Sequence, residues 1–72
     1  MNDQTSYAFS ATDVYIQYSA LRGAYVGGVE VKDADGNIAH GNGFGATVEE
    51  AYHASMLNAA KRLEKATAAK QN

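Results

Sequence analysis

The hydrophobic period of the chain changes once, at Thr47, and this change restricts the possible folds more than any other feature. Before Thr47, apolar and polar side chains alternate, as they do in strands whose two faces differ. After it, apolar residues recur at steps of three and four, as they do along one side of a helix. The sequence therefore predicts strands followed by a single C-terminal helix.

Three strands are expected, at about residues 7–19, 25–32 and 38–44. The first contains two alternating sets in opposite phase, so it needs a bulge near Ala11–Asp13 to keep both sets on one face. Between the second and third strands, "DADGN" (33–37) predicts a hairpin turn. The order predicts an α+β fold: a three-stranded antiparallel sheet (β-β-β-α) with one long amphipathic helix packed on one face.

Strand alternation assigns the side chains to two faces. Val14, Ile16 and Tyr18 share one face of the first strand. One face of the second strand is shared by Tyr25, Val29 and Val31. The helix leaves the opposite face uncovered. That face displays Tyr15, Gln17, Val26, Glu30 and Lys32.

The helix is expected at about residues 47–66, with a frayed tail at 67–72. Thr47 and Glu50 form a capping box, in which the threonine side chain accepts from the first-turn backbone and the glutamate side chain reaches back. Leu57 lies opposite the apolar stripe, either as a single exposed leucine or as a contact for a partner or a second copy. The stripe itself comprises Val48, Tyr52, Ser55, Met56, Ala59, Leu63 and Ala66.

A chain of 72 residues makes a single domain, residues 1–72, that buries only about 60% of its unfolded surface. It has no cysteine, so disulfides and thiolate metal sites are excluded. A core this thin favours stabilisation by a partner or a second copy. The polar start "MNDQTS" and the lack of a long apolar run predict a soluble, unprocessed, cytoplasmic protein that does not enter a membrane.

The segment "GNGFG" (41–45) is not a dinucleotide loop, because its spacing is G-x-G-x-G and no second parallel strand can follow. We expect its glycines to allow tight strand–helix packing and a positive φ on the way into the helix. The turn at 33–37 lacks the spacing of a calcium loop. The sequence therefore predicts no cofactor.

Catalytic and metal-binding groups are also not predicted. His40 and His53 are the only histidines, and two imidazoles are too few for a ligand set. Glu49 and Glu50 are adjacent and point apart on a helix, which favours capping over paired acid–base chemistry. No serine or threonine stands in a recognisable nucleophile arrangement. The sequence predicts that the protein is not an enzyme.

Charge is unevenly distributed along the chain. The net charge is −2, and seven of the eight acids lie within residues 1–50. This balance disfavours bulk electrostatic binding of free nucleic acid. Lys61, Arg62 and Lys65 nevertheless cluster on one helix flank, so a small nucleic-acid-binding module is an alternative function.

Residues 27–64 resemble the second half of a double-stranded RNA-binding domain. Gly41/Gly43 or Gly43/Gly45 match the glycines before its last helix. The family's lysines at the helix start are replaced by "VEE", which would repel a phosphate backbone. The resemblance implies a βββα order and argues against RNA binding. The packing residues of the family's helix correspond to Ala51, Ala54, Ala59, Ala60 and Leu63.

In size, acidity and lack of catalytic motifs, the chain is similar to small proteins of phages and mobile elements, including the anti-CRISPR proteins. This likeness implies a non-catalytic inhibitor that blocks a nucleic-acid-binding surface of a larger host defence complex. Tyr15 and Leu57 would anchor the contact, and a structural homodimer is a further alternative. Acids expected to gather at one end of the sheet are Glu30, Asp33, Asp35, Glu49 and Glu50.

Overall fold

The computed structural model describes residues 9–71, with side chains described for residues 9–66. The elements are β1 (Phe9–Ser19), β2 (Ala24–Asp33), β3 (Ile38–Gly45) and α1 (Val48–Gln71). The strands form one antiparallel sheet in the order β1-β2-β3, and α1 packs on it. The predicted α+β fold is confirmed, while the expected start of the first strand at residue 7 lies outside the described residues.

The bulge in β1 lies where the alternation requires it. Ala11 pairs with Val31 and Asp13 pairs with Glu30, so Thr12 is the extra residue. The Thr12 hydroxyl donates to Glu30 Oε1 at 3.0 Å, which ties the bulge to β2. The bulge shifts the phase of the strand and confirms the prediction.

The β2–β3 turn is organised by Asp33. Its Oδ1 accepts the backbone N–H groups of Asp35 and Asn37, both at 2.9 Å, and its Oδ2 accepts the Asn37 side-chain amide. Gly36 has a φ of 87°, a conformation that glycine adopts at little cost. The predicted hairpin is confirmed.

The three glycines of β3 all face the helix. A Cβ on Gly41 would overlap the backbone of Ser55 and Ala59, so the backbone of α1 lies directly on β3. The prediction of tight packing is confirmed, but the expected positive φ is wrong. Within residues 9–71, only Gly23 and Gly36 have a positive φ, because β3 stays extended through Gly45.

This close approach selects which side of α1 is buried. Small residues are needed where two backbones meet, and Ala51 is fully buried although it was not expected in the stripe. Val48 and Tyr52 were expected there, but they are 47% and 38% exposed. The core comprises Val29, Val31, Ala39, Met56, Ala59 and Leu63, with Phe9 packed against it.

The helix cap matches the prediction, whereas the helix end does not. The Glu50 N–H donates to Thr47 Oγ1 at 3.2 Å, and Glu50 Oε1 accepts the Ala46 N–H at 2.8 Å. The helix continues to Gln71, past Ala66 where the tail was expected to fray. Residues 67–71 contain no glycine or proline to stop it, and alanine, lysine and glutamine favour helix.

The helix lies over β3 and β2 and barely reaches β1. The helix-side residues of β1 are therefore only partly covered: Val14 is 43% exposed, Tyr18 is 58% exposed and Ile16 is half-buried. Tyr18 stacks edge-on against Tyr25, with ring centroids 5.3 Å apart. The β3 edge of the sheet is thus well packed against α1, whereas the β1 edge is only partly covered.

Candidate interaction surfaces

The outer sheet face, which is the side of the sheet away from α1, exposes large apolar side chains. Tyr15 is 57% exposed, Phe44 is 54% exposed and Ile38 is 52% exposed. Strand pairing puts Tyr15 beside Gly28, Phe44 beside Val26 and Ile38 beside Lys32, all on the same face. The uncovered face predicted from the alternation is therefore present, and it is more apolar than expected.

Two of these side chains are held by their neighbours. The Tyr15 ring lies across Gly28, where an added Cβ would sit 2.6 Å from the nearest ring carbon. At the far end of the same face, the Arg22 guanidinium carbon lies 4.6 Å from the centre of the Phe44 ring. This distance allows a cation–π contact. Both aromatic rings are therefore supported by a neighbouring residue while still accessible.

A shallow polar cavity lies between Tyr15 and β3. Its volume is about 240 Å³, and its lining includes Asp13, Glu30 and His40. His40 Nε2 lies 3.5 Å from Glu30 Oε2. A cavity this small is below the range of most ligand pockets. In the described part of the chain, no group of three or more His, Cys, Asp or Glu residues could hold a metal ion.

The predicted acidic cluster does not form. Asp33 and Asp35 lie at the β2–β3 turn, whereas Glu50 packs against Gly45 at the opposite end of β3. The eight residues of β3 separate these ends by roughly 25 Å. The expectation of one acidic end is wrong, because α1 starts only after β3 has crossed the sheet.

Several of these acids already have local partners. Asp33 holds the turn, Glu50 caps the helix, and Glu30 accepts the Thr12 hydroxyl on the outer sheet face. Asp35 and Glu49 are exposed. The carboxylates therefore act first as local structural groups, and they are spread over the surface.

Leu57 is 44% exposed, and the neighbouring Lys61 and Glu64 on that side of the helix are also exposed. Its interpretations as a lone leucine and as a contact residue both stay predictions. Lys61 and Lys65 are exposed one helical turn apart. Arg62, by contrast, donates from Nη1 to the His40 carbonyl at 3.2 Å, so it is already engaged at the edge of β3.

Sequence reasoning overlooked the contribution of β3 and of the β1–β2 turn to the outer sheet face. A signal for β3 was present: glycine occupies every helix-side position from Gly41 to Gly45, so the alternate residues must face outward. That set includes Phe44. No comparable local signal indicates that Arg22 reaches Phe44.

Comparison of the chain with protein-family models, curated proteins and solved structures finds no match to any of them. Among residues 9–71, no helix combines the length and apolar character that crossing a membrane requires. The surface itself is therefore the basis for the functional proposal.

Proposed function

We propose that the chain is a non-catalytic protein-binding module whose contact surface is the outer sheet face. The observation that carries this proposal is the exposure of Tyr15, Phe44 and Ile38 together on a face that α1 leaves open. Aromatic side chains dominate the binding energy of many protein interfaces. A small domain gains nothing in its own stability by exposing three large apolar side chains on one face.

The order of this surface adds to the argument. Tyr15 rests on Gly28, and Phe44 lies beneath Arg22, so neither ring loses much side-chain freedom on binding. Immobilising a flexible side chain costs about 0.5–1.5 kcal/mol at an interface. Rings that their neighbours already hold in position avoid part of this cost. Tyr15 and Phe44 are therefore favoured as anchors.

The partner class follows from the charges beside these anchors. Asp13 and Glu30 lie in the middle of the outer sheet face, and Lys32 and Arg22 lie nearer its two ends. This arrangement suits a partner with a basic patch between apolar pockets. A nucleic-acid-binding surface of a host defence complex, such as a CRISPR–Cas complex, carries a basic patch of this kind. Inhibition by competition with nucleic acid is the mechanism proposed, in keeping with the likeness to small phage proteins.

The proposal is tested by capturing partners from bacterial lysate with the tagged chain, then measuring the affinity of each purified candidate by calorimetry. We expect the Tyr15→Ala/Phe44→Ala variant to lose about 2 kcal/mol or more of binding energy, a Kd increase of about 30-fold. We also expect the wild-type chain to displace nucleic acid from the purified partner.

Leu57→Ala is the matched control, because Leu57 is similarly exposed but lies on the helix. It should bind like wild type. Equal loss in the control and in the double variant, or no captured partner above background, would contradict the proposal. Circular dichroism of each variant confirms that the fold is retained.

A nucleic-acid-binding module is the second candidate, and Lys61 and Lys65 are the observation that favours it. It predicts a gel shift with single- or double-stranded nucleic acid at low salt that is lost as salt rises. Lys61→Ala/Lys65→Ala should abolish that shift. Absence of any shift at low salt rules this candidate out.

A further inference from the structure

β1 has a free edge. The Glu30 carbonyl accepts the Thr12 hydroxyl, so the backbone groups of Glu30 point toward β1. Asp13 is the residue of β1 that pairs with Glu30. Backbone direction alternates along an antiparallel strand. The N–H and C=O groups of Val14, Ile16 and Tyr18 therefore point away from β2, at the edge of the sheet.

Between Val14 and Ser19 this edge lacks the usual protection. Natural edge strands are blunted by lysine, proline, a β-bulge or a covering element. The bulge of β1 lies before this stretch, at Thr12. From residue 10 to residue 19 there is no lysine or proline, and Asp13 is the one charged residue. Among the described residues, no side chain bonds to the outward backbone groups of Val14, Ile16 or Tyr18. The helix contacts β1 far less than it contacts β2 and β3.

We propose that this edge pairs antiparallel with β1 of a second copy of the chain, about a two-fold axis at Ile16. Ile16 then faces Ile16 of the partner subunit, and Val14 faces the partner's Tyr18. Three outward residues in each copy form on the order of six backbone hydrogen bonds. The result is one continuous six-stranded sheet in which both copies of β1 are central strands.

The register at Ile16 is selected by the residues on either side. It is the register that pairs all three outward residues with apolar partners. An axis at Val14 would include the bulge at Thr12, and an axis at Tyr18 would run past the end of β1 at Ser19. With the axis at Ile16, Asp13 lies six residues from its counterpart, about 20 Å away, so the like charges do not oppose each other.

The pairing also covers the partly exposed helix-side residues of β1. A two-fold axis perpendicular to the sheet keeps both helices on the same face of it. The partly exposed Val14, Ile16 and Tyr18 of one copy then meet the same residues of the other. This contact buries apolar surface of β1 that α1 leaves exposed. It thereby adds to the small apolar core of a short chain.

The dimer leaves the outer sheet face open and does not depend on the proposed function. Loss of the dimer would not alter the expected behaviour of the Tyr15→Ala/Phe44→Ala variant. Conversely, a chain that binds no partner protein can still dimerise through β1. Each of the two proposals can therefore be disproved without affecting the other.

Because the chain lacks cysteine, single cysteine variants can test the register directly. Hydrogen-bonded antiparallel partners have Cα atoms about 5.5 Å apart, within the span of a disulfide. Ile16→Cys should therefore form a disulfide-linked dimer under mild oxidation. Val14→Cys alone should not, because its counterpart lies about 13 Å away. A mixture of Val14→Cys and Tyr18→Cys should link.

Leu57→Cys measures random cross-linking, since Leu57 is as exposed as Val14 but lies on the helix. Light scattering of the uncross-linked wild type should give twice the 7.6 kDa chain mass. A wild-type mass of 7.6 kDa, or Ile16→Cys cross-linking no better than Leu57→Cys, would overturn the dimer. Stronger self-linking of Val14→Cys than of Ile16→Cys would overturn the register.

A pair of lysine variants provides a second test that does not rely on the half-buried Ile16. Val14→Lys places a charge at the proposed interface, while Ile38→Lys makes a similar change at the other edge strand; the two residues are 43% and 52% exposed. Each change enters the dimer twice, because both copies contribute the same residue to the interface. We expect Val14→Lys to raise the dimer Kd about tenfold. Equal effects at both edges would overturn the proposal.

Discussion

The helix α1 covers the two edges of the sheet to different extents. At β3, the Arg62 guanidinium and the Asn58 amide donate to the outward carbonyls of His40 and Asn42, and the helix lies against the strand. At β1, among the described residues, the outward groups of Val14, Ile16 and Tyr18 receive no such bonds. One edge is closed by the chain itself, and the other is available to a partner.

The cause of this difference lies in the glycines of β3. Without side chains on the helix face, β3 lets the backbone of α1 come close, and the helix shifts toward that edge. A single helix on a three-stranded sheet cannot also cover the third strand. Closing the β3 edge therefore leaves β1 partly exposed.

The largest effect is expected from Gly41→Ala. Its new Cβ would overlap the backbone of Ser55 and Ala59, which cannot move without displacing the helix. We expect the free energy of unfolding to fall by about 2–3 kcal/mol, measured by urea denaturation. Gly28→Ala is the control, because the atoms nearest to its Cβ belong to the Tyr15 side chain, which can rotate away. Equal losses would mean that the helix does not hold the β3 edge.

A smaller effect on stability, but a specific effect on association, is expected from Asn58→Ala/Arg62→Ala. Removing both donors leaves the His40 and Asn42 carbonyls open, at a net cost of about 1 kcal/mol. The β3 edge should then resemble β1, and light scattering should detect species larger than those of wild type. Lys61→Ala/Lys65→Ala removes two side chains from the same flank and should leave the mass unchanged. A wild-type mass for the first variant would show that its edge is protected in another way.

The smallest effect is expected from Thr12→Val at the bulge of β1. This change keeps the branched shape and removes the hydroxyl that donates to Glu30. We expect a loss of about 0.5–1 kcal/mol in the free energy of unfolding. Thr12→Ser keeps the hydroxyl and should retain most of the stability. If Thr12→Ser is as unstable as Thr12→Val, packing of the methyl group holds the bulge and the hydrogen bond does not.

Much of the fold could be predicted because local rules agree along the chain. Alternation placed Val14 and Tyr15 on opposite faces, the phase change required the bulge, and Thr47 with Glu50 marked the helix start. Each of these features depends on neighbours close in sequence. The helix end was harder to predict, because residues 67–71 carry no stop signal, which makes a frayed end and a continuing helix hard to distinguish.

The candidate site was predicted less well, since it depends on which ends of the elements meet. Grouping Asp33 with Glu49 and Glu50 required the helix to start beside the hairpin turn, but α1 starts at the opposite end of β3. The contribution of Phe44 to the outer sheet face followed from the alternation of β3 but was overlooked. The contact of Arg22 with Phe44 joins residues far apart in sequence, and no local pattern indicates it.

By itself, the sequence determined the order of the elements, the two faces of each strand and the absence of disulfides, since periodicity and composition act locally. Only the tertiary structure decided where the helix rests across the sheet. That position depends on how closely two backbones can approach, and the glycines of β3 and Ala51, Ser55 and Ala59 of α1 set it together. It closes one edge of the sheet and leaves the other open, because close packing is a property of two surfaces in contact.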